Sequence, residues 1–153
     1  MAITSRLLVF SLNEQRYGLD VATVERVERM VEIHPLPQSP DIVAGIINMR
    51  GRIIPIINVR QRFRQPQRGF ALSDQIIIAH TKRRTVGLVV DGIVAISEYP
   101  NEDIAGAKDI LPAMEYVKGV VKMRDGLVLI HDLEKFLSVE EESCLDRAIE
   151  ASR

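Results

Sequence analysis

Two segments of the chain share one plan. "AGIINMRGRIIPI" spans residues 44–56 and "KGVVKMRDGLVLI" spans 118–130. Each has a glycine, an apolar run, Met-Arg, a glycine-containing turn and a second apolar run. At an offset of 74, Gly45/Gly119, Met49/Met123, Arg50/Arg124 and Ile56/Ile130 coincide. A second match, "YGLDVATV" (17–24) over "VGLVVDGI" (86–93), has an offset of 69. The order of elements also repeats, so the chain reads as two copies of one small unit. Short β-rich runs with turn signals between them predict small barrels.

The individual elements follow from local pattern. Residues 6–12 and 16–21 read as a hairpin around Asn13-Glu14-Gln15, and 23–33 as a short helical turn at 20–24 followed by a strand. Residues 34–41 hold three prolines and read as a loop. The hairpin 44–49/52–58 turns at Arg50-Gly51, where glycine permits positive φ. Pro55 lacks a ladder donor, which places its strand at an edge or a bulge. After a polar connector the pattern restarts with a hairpin at 74–81/85–90, a strand at 91–99, a loop from Pro100 to Pro112 and a last hairpin around Arg124-Asp125-Gly126. These hairpins are more apolar than a half-exposed sheet needs, so each unit should be covered on both faces, once by its own barrel and once by its neighbour. Ser138 with Glu141 forms a capping box, three glutamates crowd the first turn, and Leu145, Ala148 and Ile149 share a face. These features predict a C-terminal helix over 139–151 docked on the body.

At 153 residues, enough surface is buried for a stable fold without cross-links. The net charge of -1 argues against a whole-molecule field aimed at nucleic acid or membrane. The single cysteine, Cys144, precludes an internal disulfide, and glutamates before it disfavour a reactive thiolate. The apolar run Leu7–Leu12 is too short for a signal sequence or membrane span, so a cytoplasmic location is expected. His34, His80 and His131 lie in unrelated contexts with no metal-ligand spacing, and no glycine-rich phosphate loop occurs. No cofactor, metal or catalytic constellation is expected. One surface signal stands out: residues 42–73 contain six arginines and no acid. A solvated rim, an acidic protein partner or RNA on a small barrel would each account for it. RNA usually wants aromatic platforms, and only Phe63 and Phe70 are close in sequence, so a protein partner is favoured. Nucleic-acid binding stays as the alternative function.

The runs "LLVFSLNEQRYGLDVATVERV", "P-x-x-I-V-A-G-I-I-N-M-R-G-R-I-I-P-I-I-N-V-R" and "VGLVVDGI" together resemble the CheW family of chemotaxis coupling proteins, from about Arg6 to Leu137. The resemblance implies an all-β fold of two five-stranded SH3-like barrels about a pseudo-twofold, with short connecting helices. It implies one CheW-like domain over 1–153, divided into a first subdomain at about 6–63, a connector at 64–73, a second subdomain at about 74–137 and the C-terminal helix. It also implies a non-catalytic adaptor between the cytoplasmic tips of methyl-accepting chemoreceptors and the regulatory domain of a CheA-type histidine kinase, touching the membrane only through the receptors. Val24, Gly45, Asn48, Arg50 and Gly51 match the receptor-binding groove. Arg26, Val27, Met30, Val31 and Leu36 are expected at the kinase interface. Met30 and Val31 are adjacent, where strict alternation turns one of them outward; core burial of both is the competing reading. The chain departs from the family pattern at Arg26 and Asn58, where a glutamate and an aspartate are common.

Overall fold

Each apolar run forms a strand, and each short polar gap forms a turn. The structure is a computed structural model that describes residues 3–106, 116–123 and 126–152. β1 (Thr4–Leu12) and β2 (Gln15–Asp20) form the first hairpin, turning through Asn13 and Glu14 at positive φ. A 3-10 turn at Val21–Thr23, capped by Asp20, leads into β3 (Val24–Arg29). β4 (Val43–Met49) and β5 (Arg52–Ile57) form the Arg50-Gly51 hairpin, and α1 (Val59–Arg62) is a single turn whose cap is the Asn58 side chain. The second half repeats the plan with β6 (Gln75–His80), β7 (Thr85–Val90), β8 (Gly92–Pro100), β9 (Ile104–Gly106), β10 (Val117–Met123) and β11 (Gly126–His131). The chain closes with α2 (Val139–Ala151), and its capping box is formed as expected.

The two halves do not form one sheet each. One sheet has the order β8-β1-β2-β11-β10-β9 and the other β3-β6-β7-β5-β4. Every sheet therefore takes its leading hairpin from one half and its remaining strands from the other. This corrects the sequential division at 6–63 and 74–137: the halves exchange strands. It also corrects the count of five strands for the first sheet, which has six. The registers follow the repeat. β2 meets β11 in parallel with Gly18 opposite Ile130, and β7 meets β5 in parallel with Gly87 opposite Ile56. These pairs are related by the offsets of 69 and 74. A Cβ on Gly87 would lie 2.5 Å from the Ile56 side chain, so the parallel contact needs a glycine there.

Pro55 lies inside the second sheet, not at an edge. It is tolerated because the parallel pairing of β5 with β7 starts only at Ile56. The expected loop after Pro100 contains β9, which pairs with β10; three residues are too few to show a periodic pattern. The rest of that loop to Pro112, together with Arg124 and Asp125, lies outside the described residues.

Burial confirms that both sheets are covered twice. In β6, Ile77 and Ala79 join a central cluster with Phe10, Leu12, Leu88, Leu129 and Leu145, while Ile76 and Ile78 join a second cluster with Ile47, Ile54 and Ile56. In β1, Leu8, Phe10 and Leu12 point to the central cluster and Leu7 and Val9 to a third, with Val121, Val128 and Ile130. The period of two thus sends alternate residues to a shared core and to a core private to each sheet. α2 docks on the shared core through Leu145 and Ala148. It is also held ionically, Arg62 to Glu141 at 2.7 Å and Arg84 to Glu142 at 2.9 Å.

Next to that seam, His131 is buried among Phe63 and Phe136, and neither ring nitrogen has a hydrogen-bond partner. Burial, helped by Lys118, holds its pKa well below the usual value. The unfolded chain therefore binds a proton near pH 6.5 that the folded chain refuses. The neutral ring's contribution is complete above about pH 6.5 and is lost as pH falls below it. His131→Phe should flatten the acid limb of a stability-versus-pH curve by up to one proton, about 1.4 kcal/mol per pH unit; an unchanged slope would refute this account. Strand exchange gives a second prediction. A fragment of residues 1–68 lacks β8 for β1, β11 for β2, β6 for β3 and β7 for β5. It should be unfolded by amide-exchange NMR, and mixing it with a 69–153 fragment should restore dispersed spectra.

Candidate functional site

The Arg50-Gly51 turn is tight. Both residues have positive φ, +54° and +84°, the combination that a two-residue hairpin matching the sheet twist requires. Arginine pays a steric penalty there that glycine does not. The Asn48 Oδ1 accepts the Gly51 N–H at 2.9 Å and so fixes the turn from inside the hairpin. The Arg50 side chain is exposed and has no ion-pair partner among the described residues.

The other arginines of the acid-free stretch behave differently. Arg52 donates to Glu25 at 2.9 Å and to the Thr85 hydroxyl at 2.9 Å, and its hydrogen bond holds the Glu25 carboxyl below the ordinary range. Arg60, buried, pairs with Asp91. Arg62 pairs with Glu141 and with the Tyr116 hydroxyl. Arg68 pairs with Asp74 at 2.7 Å and Asp91 at 2.9 Å. Burial alone would raise the Asp74 pKa, but the Arg68 guanidinium and the Ala71 N–H outweigh it and lower it. Only Arg50 and Arg64 of the six lack an acidic partner among the described residues. The stretch is thus no continuous cationic surface, because its acids come from distant parts of the chain.

The remaining expected groove residues divide. Gly45, at φ +155°, is buried, and a Cβ there would lie 2.4 Å from the His34 carbonyl oxygen. It admits the paired hydrogen bonds between His34 and Ile46, 2.8 and 2.9 Å, which occupy the outer edge of β4. Gly45 therefore shapes the hairpin and offers no contact surface. Val24 is half-buried against the central cluster, beside the bulge that separates it from Arg26. The Glu25–Arg52 pair ties the start of β3 to the start of β5.

Among the residues expected at the kinase interface, Leu36 is buried at 6% exposure in the central cluster. It is a core residue, a correction that follows from the proline loop folding inward. Val27 is half-buried against the same cluster. Met30 packs partly on the second cluster and Val31 is 46% exposed, so it is Val31 that turns outward. Arg26 is half-exposed and sits 3.1 Å from Glu28 and 4.0 Å from Glu25. Asn58 accepts the Gln61 N–H and so does the capping an aspartate would do.

Sequence reasoning missed one feature. Behind the Arg50-Gly51 tip lies an open groove of about 860 Å³ between the β4–β5 hairpin and the end of α2. Ile46, Gly51 and Ile53 line one side, Asp146, Ile149 and Glu150 the other, with Arg84 and Ser152 completing it. Ile53 is 47% exposed, and its repeat counterpart Leu127 is 41% exposed. The offset of 74 was the available signal that an outward apolar residue recurs at this position.

Two interleaved sheets of this order, joined by parallel pairings and a hairpin tip shaped by Asn-Met-Arg-Gly, define a small β scaffold that presents a rigid turn. The family model described as the CheW-like domain matches residues 6–141, and the chain belongs to that family. It is similar to the chemotaxis protein CheW of Klebsiella aerogenes, 30% identical over 146 residues, 94% of this chain and 88% of the relative. The chemotaxis protein CheW of Thermotoga maritima is 34% identical over 139 residues, 86% of each chain. Among solved structures, the scaffolding protein TtCheW from Thermoanaerobacter tengcongensis superposes with a TM-score of 0.82 at 31% identity, covering 91% of this chain and 96% of that one.

The placement of Met30 and Val31 gives a prediction. Met30→Asp puts a charge against the second cluster and should destabilise by about 1–3 kcal/mol. Val31→Asp should leave the melting temperature within a degree or two of the parent. Equal melting of the two variants would place both side chains on the same side of the surface.

Proposed function

We propose that the chain is a non-catalytic adaptor in chemotaxis-like signalling, coupling the cytoplasmic tips of methyl-accepting chemoreceptors to the regulatory domain of a CheA-type histidine kinase. The membership in the CheW-like family supports this reading, as does the likeness to a scaffolding protein. The observation that carries it is Arg50, an unpaired guanidinium held at the end of a rigid hairpin while most of its neighbouring arginines are engaged. Such a group is pre-organised for a carboxylate brought by a partner, because its planar fork makes two parallel hydrogen bonds.

In this reading the receptor contacts Arg50 and Gly51, with Asn48 and Gly45 setting the shape of the turn and Val24 supporting it from β3. The kinase contacts the outward residues of β3 and its exit, Arg26 and Val31, with the half-buried Val27 and Met30 bracing them from beneath. No helix among the described residues is long and apolar enough to cross a membrane. The adaptor acts in the cytoplasm and meets the membrane only through its receptors. Nucleic-acid binding loses most of its motive, since four of the six arginines that suggested it are paired within the chain.

Arg50→Glu tests the proposal. The tip has few core neighbours, so the melting temperature should stay native-like, a change within about 0.5 kcal/mol. Loss of an interface arginine is worth ~2 kcal/mol or more, so binding to a receptor-tip fragment should weaken about thirtyfold or more. Unchanged affinity with the fold intact would sink the functional reading of the tip.

A further inference from the structure

We infer that Glu25 is a positioning residue for the receptor-facing turn. From a bulge in β3 its carboxylate holds Arg52 at the root of the Arg50-Gly51 turn, and so fixes where the Arg50 guanidinium stands. This rests on the adaptor reading above and adds to it a residue that acts on the turn only through Arg52.

The hairpin that carries the turn outruns its sheet. The ladder between β4 and β5 continues out to Met49 opposite Arg52. On its other side β5 is laddered to β7 only at Ile56 and Ile57 among the described residues. Residues 52–55 are thus part of a two-stranded ribbon, which twists more and is less stable than a full sheet. A side chain braces this arm instead. Arg52 Nη1 donates to both Glu25 oxygens, at 3.2 and 2.9 Å, and Nη2 donates to the Thr85 hydroxyl at 2.9 Å. In the strand order both β3 and β7 lie on the side of β5 where the backbone ladder is missing.

Glu25 is placed for this by the bulge. β3 pairs with β6 through Val24–Ala79 and then Arg26–Ile78, so Glu25 is the extra residue. A bulge re-aims the side chain it inserts. The second half of the chain keeps the bulge and lacks the ion pair. β8 pairs with β1 through Ala95–Val9 and then Ile93–Phe10, which leaves Val94 as the extra residue. Val94 stands at the offset of 69 from Glu25, and Gly126 at the offset of 74 from Arg52. The bulge is therefore a feature of the fold, and the ion pair is not. Both side chains of the pair are partly exposed, and such pairs add little stability. What the pair adds in one half alone is a fixed hairpin, and that hairpin carries Arg50.

The test is a double-mutant cycle of Glu25→Ala and Arg52→Ala, read by titration of a labelled cytoplasmic-tip fragment of a chemoreceptor from the protein's own host. Each single variant should melt near the parent and weaken binding about threefold to tenfold, the cost of ordering a loosened side chain and its turn. The double variant should bind no worse than the weaker single variant, because the pair acts as a unit. The sign for Glu25→Ala separates position from charge. Removing an acid near Arg50 makes the surface more positive, so charge alone would tighten binding to a carboxylate. Tighter or unchanged binding by Glu25→Ala would overturn the inference, as would losses that simply add. Glu28→Ala removes an acid beside Arg26 but leaves the brace, and should bind like the parent; equal weakening there would also overturn it. In the free protein, 15N relaxation should show faster motion at Gly51 and Ile53 in Glu25→Ala than in the parent, and equal motion would count against the brace whatever the partner. Arg50→Glu reports separately on the adaptor reading. If it weakens binding and Glu25→Ala does not, the adaptor reading stands and the positioning role falls. Failure of the parent protein to bind the fragment would overturn both.

Discussion

The parallel contacts between β2 and β11 and between β7 and β5 hold the molecule together. Each joins a hairpin from one half of the chain to a hairpin from the other, and each runs through a glycine, Gly18 or Gly87, at equivalent positions. Parallel neighbours cannot be joined by a tight turn. Here the chain between β5 and β7 supplies α1, the connector and β6, and the chain between β2 and β11 supplies everything from β3 to β10. Without these two contacts β8-β1-β2 would be cut from β11-β10-β9, and β3-β6-β7 from β5-β4, leaving four small pieces of sheet. With them, each half completes the sheet of the other, and the central core becomes common property.

Shared ownership explains where the charges went. Asp91, just after β7, receives Arg60 from α1, Arg68 from the connector and the Asn13 N–H from the first turn. Asp74, just before β6, receives Arg68 and the Ala71 N–H. Arg60 and Arg68 therefore lie over the crossing between halves. Asp74 is a local partner of Arg68, while Asp91 reaches both arginines because the fold brings the end of β7 alongside. An arginine that breaks this pattern, as Arg50 does, is free for a task outside the chain.

Much of the fold was legible in the sequence. Hairpins, the turn before β3, the capping box of α2 and the double coverage of the sheets all follow from period and turn chemistry, which are local. The exchange of strands was not legible, because Gly18 opposite Ile130 and Gly87 opposite Ile56 are long-range pairings. An exchanged and an unexchanged arrangement bury the same residues and have the same periodicity. Pro55 misled for the same reason: its position in the sheet depends on where a distant parallel strand begins. At the site, Asn48, Arg50 and Gly51 were readable from turn chemistry and from the family resemblance. Leu36 was misjudged because a proline-rich loop gives no sign of which residue points inward. The groove was invisible because its second wall lies about a hundred residues further along the chain, and only docking of α2 brings Ile149 beside it.

That docking also breaks the symmetry that the repeat would otherwise impose. Ile53 and Leu127 occupy equivalent positions and are similarly exposed. On sheet physics alone both hairpins should offer the same surface, and a duplicated unit would present two interchangeable sites. An adaptor that must hold two different partners cannot use interchangeable sites, since either partner would fill both. α2 breaks the equivalence: its end lines a groove with the β4–β5 hairpin, and it is latched by Arg84, just before β7, and by Arg62 from α1. Glu25 and Arg52 add a second difference, because the residue equivalent to Glu25 in β8 is Val94, which is 45% exposed. One sheet edge is thus charged and tied to its hairpin, while the other is apolar and open. The two halves thus present different surfaces through a few substitutions laid over a common scaffold, with no difference in fold between them.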